Sequence, residues 1–148
     1  MKKNLIILII VSLIVVFLVL IIGLNFRDII NARLYEAQGC CFSDGFWVSK
    51  VFNKKGDINT CEKKIKNLEC KYFCIGIAAA YAKSPEICEK IPKETAADYY
   101  AECLTKIAFA TENIEICNKI PEGRISGKMT GPDGWPFKEM CLKRFKEK

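Results

Sequence analysis

Histidine is absent from all 148 residues. Its absence removes the commonest general base at neutral pH and every catalytic triad built on imidazole. It also removes the usual nitrogen ligand of a zinc site. No Cys-x-x-Cys occurs, the motif that most often lowers a thiol pKa for exchange. No glycine-rich phosphate loop matches either. A block of like charge is missing too: 23 basic and 17 acidic side chains, net +6, are interspersed along the chain. A nucleic-acid binder gathers its cations on one face or stripe. The expectation is therefore no catalytic residue, no metal ligand, no cofactor, no nucleic-acid partner and no enzyme. Acids four apart, such as Asp98 and Glu102, read as a solvated helix face.

What is present begins with the run LIILIIVSLIVVFLVLIIGL, Leu5 to Leu24, which carries no charge. Twenty helical residues at about 1.5 Å each match the roughly 30 Å of a bilayer core. The run is too long for a secretory signal peptide, and no good cleavage site follows. It reads as an uncleaved transmembrane signal anchor over residues 1–25, with the lipid bilayer as partner through residues 5–24. Ile29, Ile30, Arg33, Leu34 and Ala37 extend a helical spacing over residues 26–39, stopping at Gly39. Lys2 and Lys3 favour a cytoplasmic N-terminus. All nine cysteines follow the run, and repeated cysteines in an exported segment read as disulfides. The expected location is the cytoplasmic membrane, single-pass, with residues 40–148 as a Cys-rich domain outside.

Within that domain one phrase is written twice. CIGIAAAYAKSPEICEKIP (Cys74 to Pro92) and CLTKIAFATENIEICNKIP (Cys103 to Pro121) share 8 of 19 positions. Ser84 and Asn113 are expected helix caps, Pro85 suits a first helical position, and Pro92 and Pro121 end each short helix. Ahead of each lies a longer helix. Around Cys103 an apolar stripe runs through Tyr100, Leu104 and Ile107, and around Cys74 the helix is apolar nearly all round. Gly76 is expected to permit a close backbone approach. DINTCEKKI (Asp57 to Ile65) matches the closing half of the phrase and FKEMCLKRF (Phe137 to Phe145) the opening half. Half a unit, two units and half a unit describe a small helical array with atypical ends. No proline separates Cys61 from Cys74, so the first half-unit also reads as one helix running into the next. FWVSKVF, flanked by turn-like Asp44-Gly45 and Lys55-Gly56-Asp57, reads as a possible short strand.

The cysteine spacing admits several pairings. Cys74 to Cys88 and Cys103 to Cys117 are both 14 residues, while the spacings between units are 13, 15 and 24. Taking the constant spacing as the mark of a covalent bond predicts the pairs Cys74–Cys88 and Cys103–Cys117, each worth up to about 3 kcal/mol. Cys61 is then expected to reach Cys40 or Cys41, and Cys70 to reach Cys141, with one cysteine left over. The rival reading is a thiol-redox or metal-handling protein using Cys40/Cys41 or Cys70/Cys74. The glycine-rich segment Glu122 to Phe137 breaks the repeat. There Trp135 and Phe137 either offer a partner contact or fold back over the open end of the array.

The Cys-x13-Cys phrase, with Ile-Cys-x-x-Ile at its close, resembles a repeat of archaeal membrane-anchored proteins that carry short Cys-bracketed helical repeats. The resemblance covers residues 57–121 and, weakly, 137–145. It implies architecture and location, and no activity. The expected fold is all-α: a transmembrane helix followed by a small disulfide-stapled helix-corner-helix repeat domain. The expected function is non-catalytic binding, scaffolding or envelope assembly with an unknown protein or envelope partner. A pilin-like subunit is a further alternative, although the cleavage junction and early acid of that class are missing.

Overall fold

The computed structural model of the chain describes residues 12–17, 19–20, 42–53 and 56–147. Residues 12–17 and 19–20 are helical, with Leu13, Phe17 and Leu20 exposed. Then follow α1 (Phe42–Asn53), α2 (Ile58–Lys64), α3 (Leu68–Ala82), the 3-10 helix η1 (Pro85–Lys90), α4 (Ala97–Thr111), α5 (Glu115–Asn118), β1 (Ile125–Gly127), β2 (Gly131–Trp135) and α6 (Phe137–Lys146). The strands form an antiparallel hairpin, Ile125 opposite Trp135 and Gly127 opposite Gly131.

Long and short helices alternate, and the long ones lie side by side in one direction. Tyr72 of α3 meets Tyr99 of α4 near the helix starts, ring centroids 6.0 Å apart. Nearer the ends of the same helices, Ala80 and Tyr81 of α3 and Ala110 of α4 line one groove. Phe52 of α1 meets Tyr81 of α3 at 5.6 Å, and Phe109 of α4 meets Phe145 of α6 at 5.4 Å. A short return segment is what makes this possible: parallel neighbours need the chain carried back between them, and η1 and α5 do that.

The short helices are held, as their length requires, by a buried cysteine and a buried isoleucine after it, with Ile116 buried as well in α5. Cys61, Cys88 and Cys117 are fully buried, and so are the isoleucines that follow them, Ile65, Ile91 and Ile120. Burying one such isoleucine contributes about 1.5–3 kcal/mol. The core between the long helices comprises Ile75, Ala78, Ala79, Tyr100, Leu104, Ile107 and Ala108.

Aligned helices set their dipoles in parallel, which is unfavourable unless the ends are compensated. Each long helix carries an acid in its first turn: Asp44, Glu69, Asp98 and Glu139. Asp44 and Asp98 are buried. Asp44 accepts from the backbone N–H of Lys66 (3.4 Å) and Asn67 (3.0 Å), which ties the start of α1 to the start of α3.

Several expectations are corrected. The all-α class fails at the β1–β2 hairpin. Among the described residues no helix is long and apolar enough to cross a membrane. That finding overturns the single-pass architecture and the placement in the cytoplasmic membrane. The anchor expected over residues 5–24 falls largely outside the described residues, and the extension over 26–39 wholly so. FWVSKVF is helical, within α1, where Val48 and Val51, three apart, share the buried side with Ser49. α2 and α3 do not run together. Asn67 caps α3, its side chain accepting from the Cys70 N–H, so an asparagine does the work that no proline does. Ser84 caps nothing; its hydroxyl donates to Glu86. Asn113 accepts from the Glu115 N–H at 3.0 Å. At Gly76 an added Cβ meets the Cys103 Cα at 3.7 Å, ordinary contact, so close approach does not demand the glycine.

α3 and α4 end alike. Lys83 and Glu112 both take the left-handed conformation at φ 53°. The N–H groups of Ser84 and Lys83 reach the carbonyls of Ala79 and Ala80, and those of Asn113 and Glu112 reach Ala108 and Phe109. This paired ending favours glycine, since a Cβ there is sterically strained. Lys83→Gly and Glu112→Gly are each expected to raise unfolding stability by about 0.5–1 kcal/mol. Urea unfolding under non-reducing conditions measures this, and destabilisation by both variants would contradict the strained-cap account.

Candidate functional site

The four cysteines expected in bridges, Cys74, Cys88, Cys103 and Cys117, are all bridged, but with other partners. The bonds are Cys61–Cys74, Cys88–Cys103 and Cys117–Cys141. The predicted pairs Cys74–Cys88 and Cys103–Cys117 are therefore wrong. So are Cys61 to Cys40 or Cys41, and Cys70 to Cys141. Each bond joins a short helix to the long helix after it: α2 to α3, η1 to α4, α5 to α6. The constant 14-residue spacing has a different origin. It is the remainder of a long helix, one left-handed cap and the first turn of the short helix, all backbone geometry of fixed length. The bonds instead close segments of 13, 15 and 24 residues.

Cys70 is disulfide-bonded as well, which makes seven described cysteines in bridges. None is more than 1% exposed. Cys70 and Cys74 are thus not a dithiol, and the thiol or metal pair drawn from them is lost. Cys40 and Cys41 lie outside the described residues. Among the described residues no group of three or more metal-ligating side chains converges.

Trp135 and Phe137 part company. Phe137 is buried at the start of α6, whereas Trp135 stands 48% exposed on β2, its ring 6.1 Å from that of Phe137. Phe137, not Trp135, covers the end of the core. The hairpin is fastened to α4 by Asp98. One carboxylate oxygen accepts from the Met129 N–H at 2.9 Å and the other from the Tyr99 N–H at 2.9 Å. Asp98 is 2% exposed, which corrects its reading as part of a solvated face. Gly127 lies against it so closely that any Cβ would run into the carboxylate.

Two hollows lie at opposite ends of the parallel helices. At the N-terminal end a cleft of about 270 Å³ is lined by Glu69, Tyr72, Glu94, Asp98, Tyr99 and Lys128, among others. Its polar groups are mostly engaged already. Asp98 serves backbone N–H groups, and Glu69 pairs with the Lys128 ammonium. The Tyr99 phenol is pushed up to about 12, by burial first and then by the nearby Glu69, Asp98 and Glu102 carboxylates. A phenol so held is a poor base at neutral pH.

At the C-terminal end a groove of about 420 Å³ runs between α1, α3 and α4. Phe52, Ile77, Ala80, Tyr81 and Ala110 line it, with Lys83 and Lys106. The Lys106 ammonium is buried. It lies 2.8 Å from a Glu102 oxygen, outside hydrogen-bond geometry, and 4.1 Å from the centroid of the Phe73 ring. The lysine stem is what it offers to the groove. Sequence reasoning passed over Phe52, Tyr81 and Lys83. Their exposure (43% and 41% for the two aromatics) follows from the parallel direction of α1 and α3, which no local pattern encodes.

No family model, curated protein or solved structure matches this chain.

Two outcomes test the N-terminal end. Asp98→Ala is expected to cost about 1–2 kcal/mol by leaving the part-buried Tyr99 and Met129 N–H groups without their acceptor. It should also speed hydrogen exchange at the Met129 amide, and unchanged protection there would sink the fastening role. For Tyr99 the fold favours the neutral phenol, because its pKa is raised from 10.0 to about 12. Its contribution is then fully present below about pH 10 and lost as pH rises through about 12. Burial and the Glu89 hydrogen bond raise the Tyr100 phenol as well, so phenolate absorbance should show a late-ionising fraction, and Tyr99→Phe should remove its last step.

Proposed function

We propose that this chain is a non-catalytic binding module for an oxidising, extracellular setting. Its work is to hold a rigid surface of parallel helix ends. The observation that carries the reading is the use of cysteine: seven described cysteines, each in a bridge and each buried. A thiol that exchanges needs access and a lowered pKa, and buried bridges of this kind serve architecture. In a domain this small such bridges supplement a thin core. The setting follows from chemistry, since bonds of this sort persist where thiols are not kept reduced.

The polar cleft supports the same reading. Its buried carboxylate is committed to holding the hairpin, and its tyrosine is held neutral.

Non-reducing peptide mapping is expected to recover Cys61–Cys74, Cys88–Cys103 and Cys117–Cys141 intact after the native protein is incubated with a glutathione buffer. Rapid native-state exchange at any of the three would shift the reading to thiol chemistry. Breaking Cys88–Cys103 by a double alanine substitution should cost about 3 kcal/mol of stability.

A further inference from the structure

The groove at the C-terminal end of α3 and α4 is of ligand size, about 420 Å³ against the several hundred usual for small-molecule sites. Its walls are apolar side chains from three helices. Two features set the sign of charge it tolerates. No carboxylate lines it. Of its two lysines, Lys106 is already committed to Glu102 and Phe73, while Lys83 is exposed and makes no ion pair among the described residues. Bare helix C-termini would repel an anion. Here two of the last four carbonyls of α3, at Ala79 and Ala80, accept from the Ser84 and Lys83 N–H groups, which reduces that repulsion. The exposed Lys83 ammonium, without an ion pair among the described residues, then supplies positive charge at the rim.

We propose that this groove binds an anionic amphiphile, with a hydrocarbon chain along Phe52, Ile77, Tyr81 and Ala110 and a carboxylate or phosphate head on Lys83. Charge complementarity selects this occupant. A neutral apolar partner makes no use of the lysine, and a cationic one is repelled by it. The apolar wall supplies the driving force, since each buried methylene favours binding. The head group supplies orientation, through a charge-assisted contact at the groove's edge. The proposal rests on the binding-module reading and deepens it by naming a ligand class and a site.

The test uses the full chain and three ten-carbon probes: decanoate, decanol and decyltrimethylammonium. Binding is followed by calorimetry and by NMR shifts of the Tyr81 and Ala110 amides. Decanoate should bind best, with shifts centred on those residues. Lys83→Glu should weaken decanoate by about tenfold or more while changing decanol by no more than about twofold. Glutamate is tolerated at that left-handed position, as Glu112 shows at the equivalent place in α4. Ala110→Trp, at an exposed position, should fill the groove and abolish both. The proposal is overturned if Lys83→Glu leaves decanoate unaffected. It is equally overturned if decyltrimethylammonium binds as well as decanoate, or if Ala110→Trp changes nothing because binding is elsewhere on the chain. Failure here is separable from failure of the module reading: inert bridges with no decanoate binding reject the ligand alone, and labile bridges with decanoate bound reject the module alone.

Discussion

Everything in this fold depends on how the chain gets back. After each long helix it must return to the same end before the next can begin, and it does so in a segment of one to two turns. Such a segment has no stability of its own. It is fixed by a buried isoleucine and by a disulfide to the helix that follows. The bond is placed where the structure is weakest: at the return, between an element that cannot hold itself and one that can. Parallel direction follows, and with it four aligned dipoles and the acid in each first turn. Asp44 and Asp98 do double duty there. They offset helix charge, and they bind backbone N–H groups of the neighbouring return and hairpin.

The repeat, the alternation of long and short helices and the atypical ends were all legible in the chain, because they rest on local periodicity and on capping residues such as Asp57, which accepts from the Asn59 N–H at the start of α2, and Asn113. The phase of the covalent unit was not. A tandem repeat is cyclic, and long-then-short cannot be told from short-then-long by comparing copies. Constancy of spacing pointed the wrong way because a helix with a fixed cap is stiffer in length than a loop closed by a bond. The break at Asn67 was hidden since an unbroken three-four spacing of Cys61, Ile65, Leu68 and Tyr72 mimics one helix. Ile65 and Leu68 differ in fact: Ile65, just past the end of α2, is buried, and Leu68, the first residue of α3, is 58% exposed.

The site was less legible still. Asp98 looks like any first-turn acid until the hairpin, 31 residues on, closes over it. The groove needs Phe52, Tyr81 and Ala110 from three helices, and only the common direction of those helices brings their C-terminal ends together. Exposed aromatics on amphipathic helices are common, so each alone carried no signal. Trp135 drew notice for its rarity, yet the buried member of that pair is Phe137.

The lengths of the bridged segments show where such an array can vary. Between bridges the path is rigid, and a single insertion would rotate the next short helix off its isoleucine. Inside a bridge the path is a surface connection. Lengthening it from 13 to 24 residues adds only about 0.5 kcal/mol of closure entropy. The third bridge uses that freedom to carry the hairpin, with Trp135 and Met129 exposed on it. Variation is therefore inexpensive at the N-terminal end, where the bridged loops cross, and costly at the C-terminal end, where the tight caps lie. An apolar groove built against those caps inherits their rigidity. A ligand there meets walls that are already ordered, and loses little of its binding energy to arranging them.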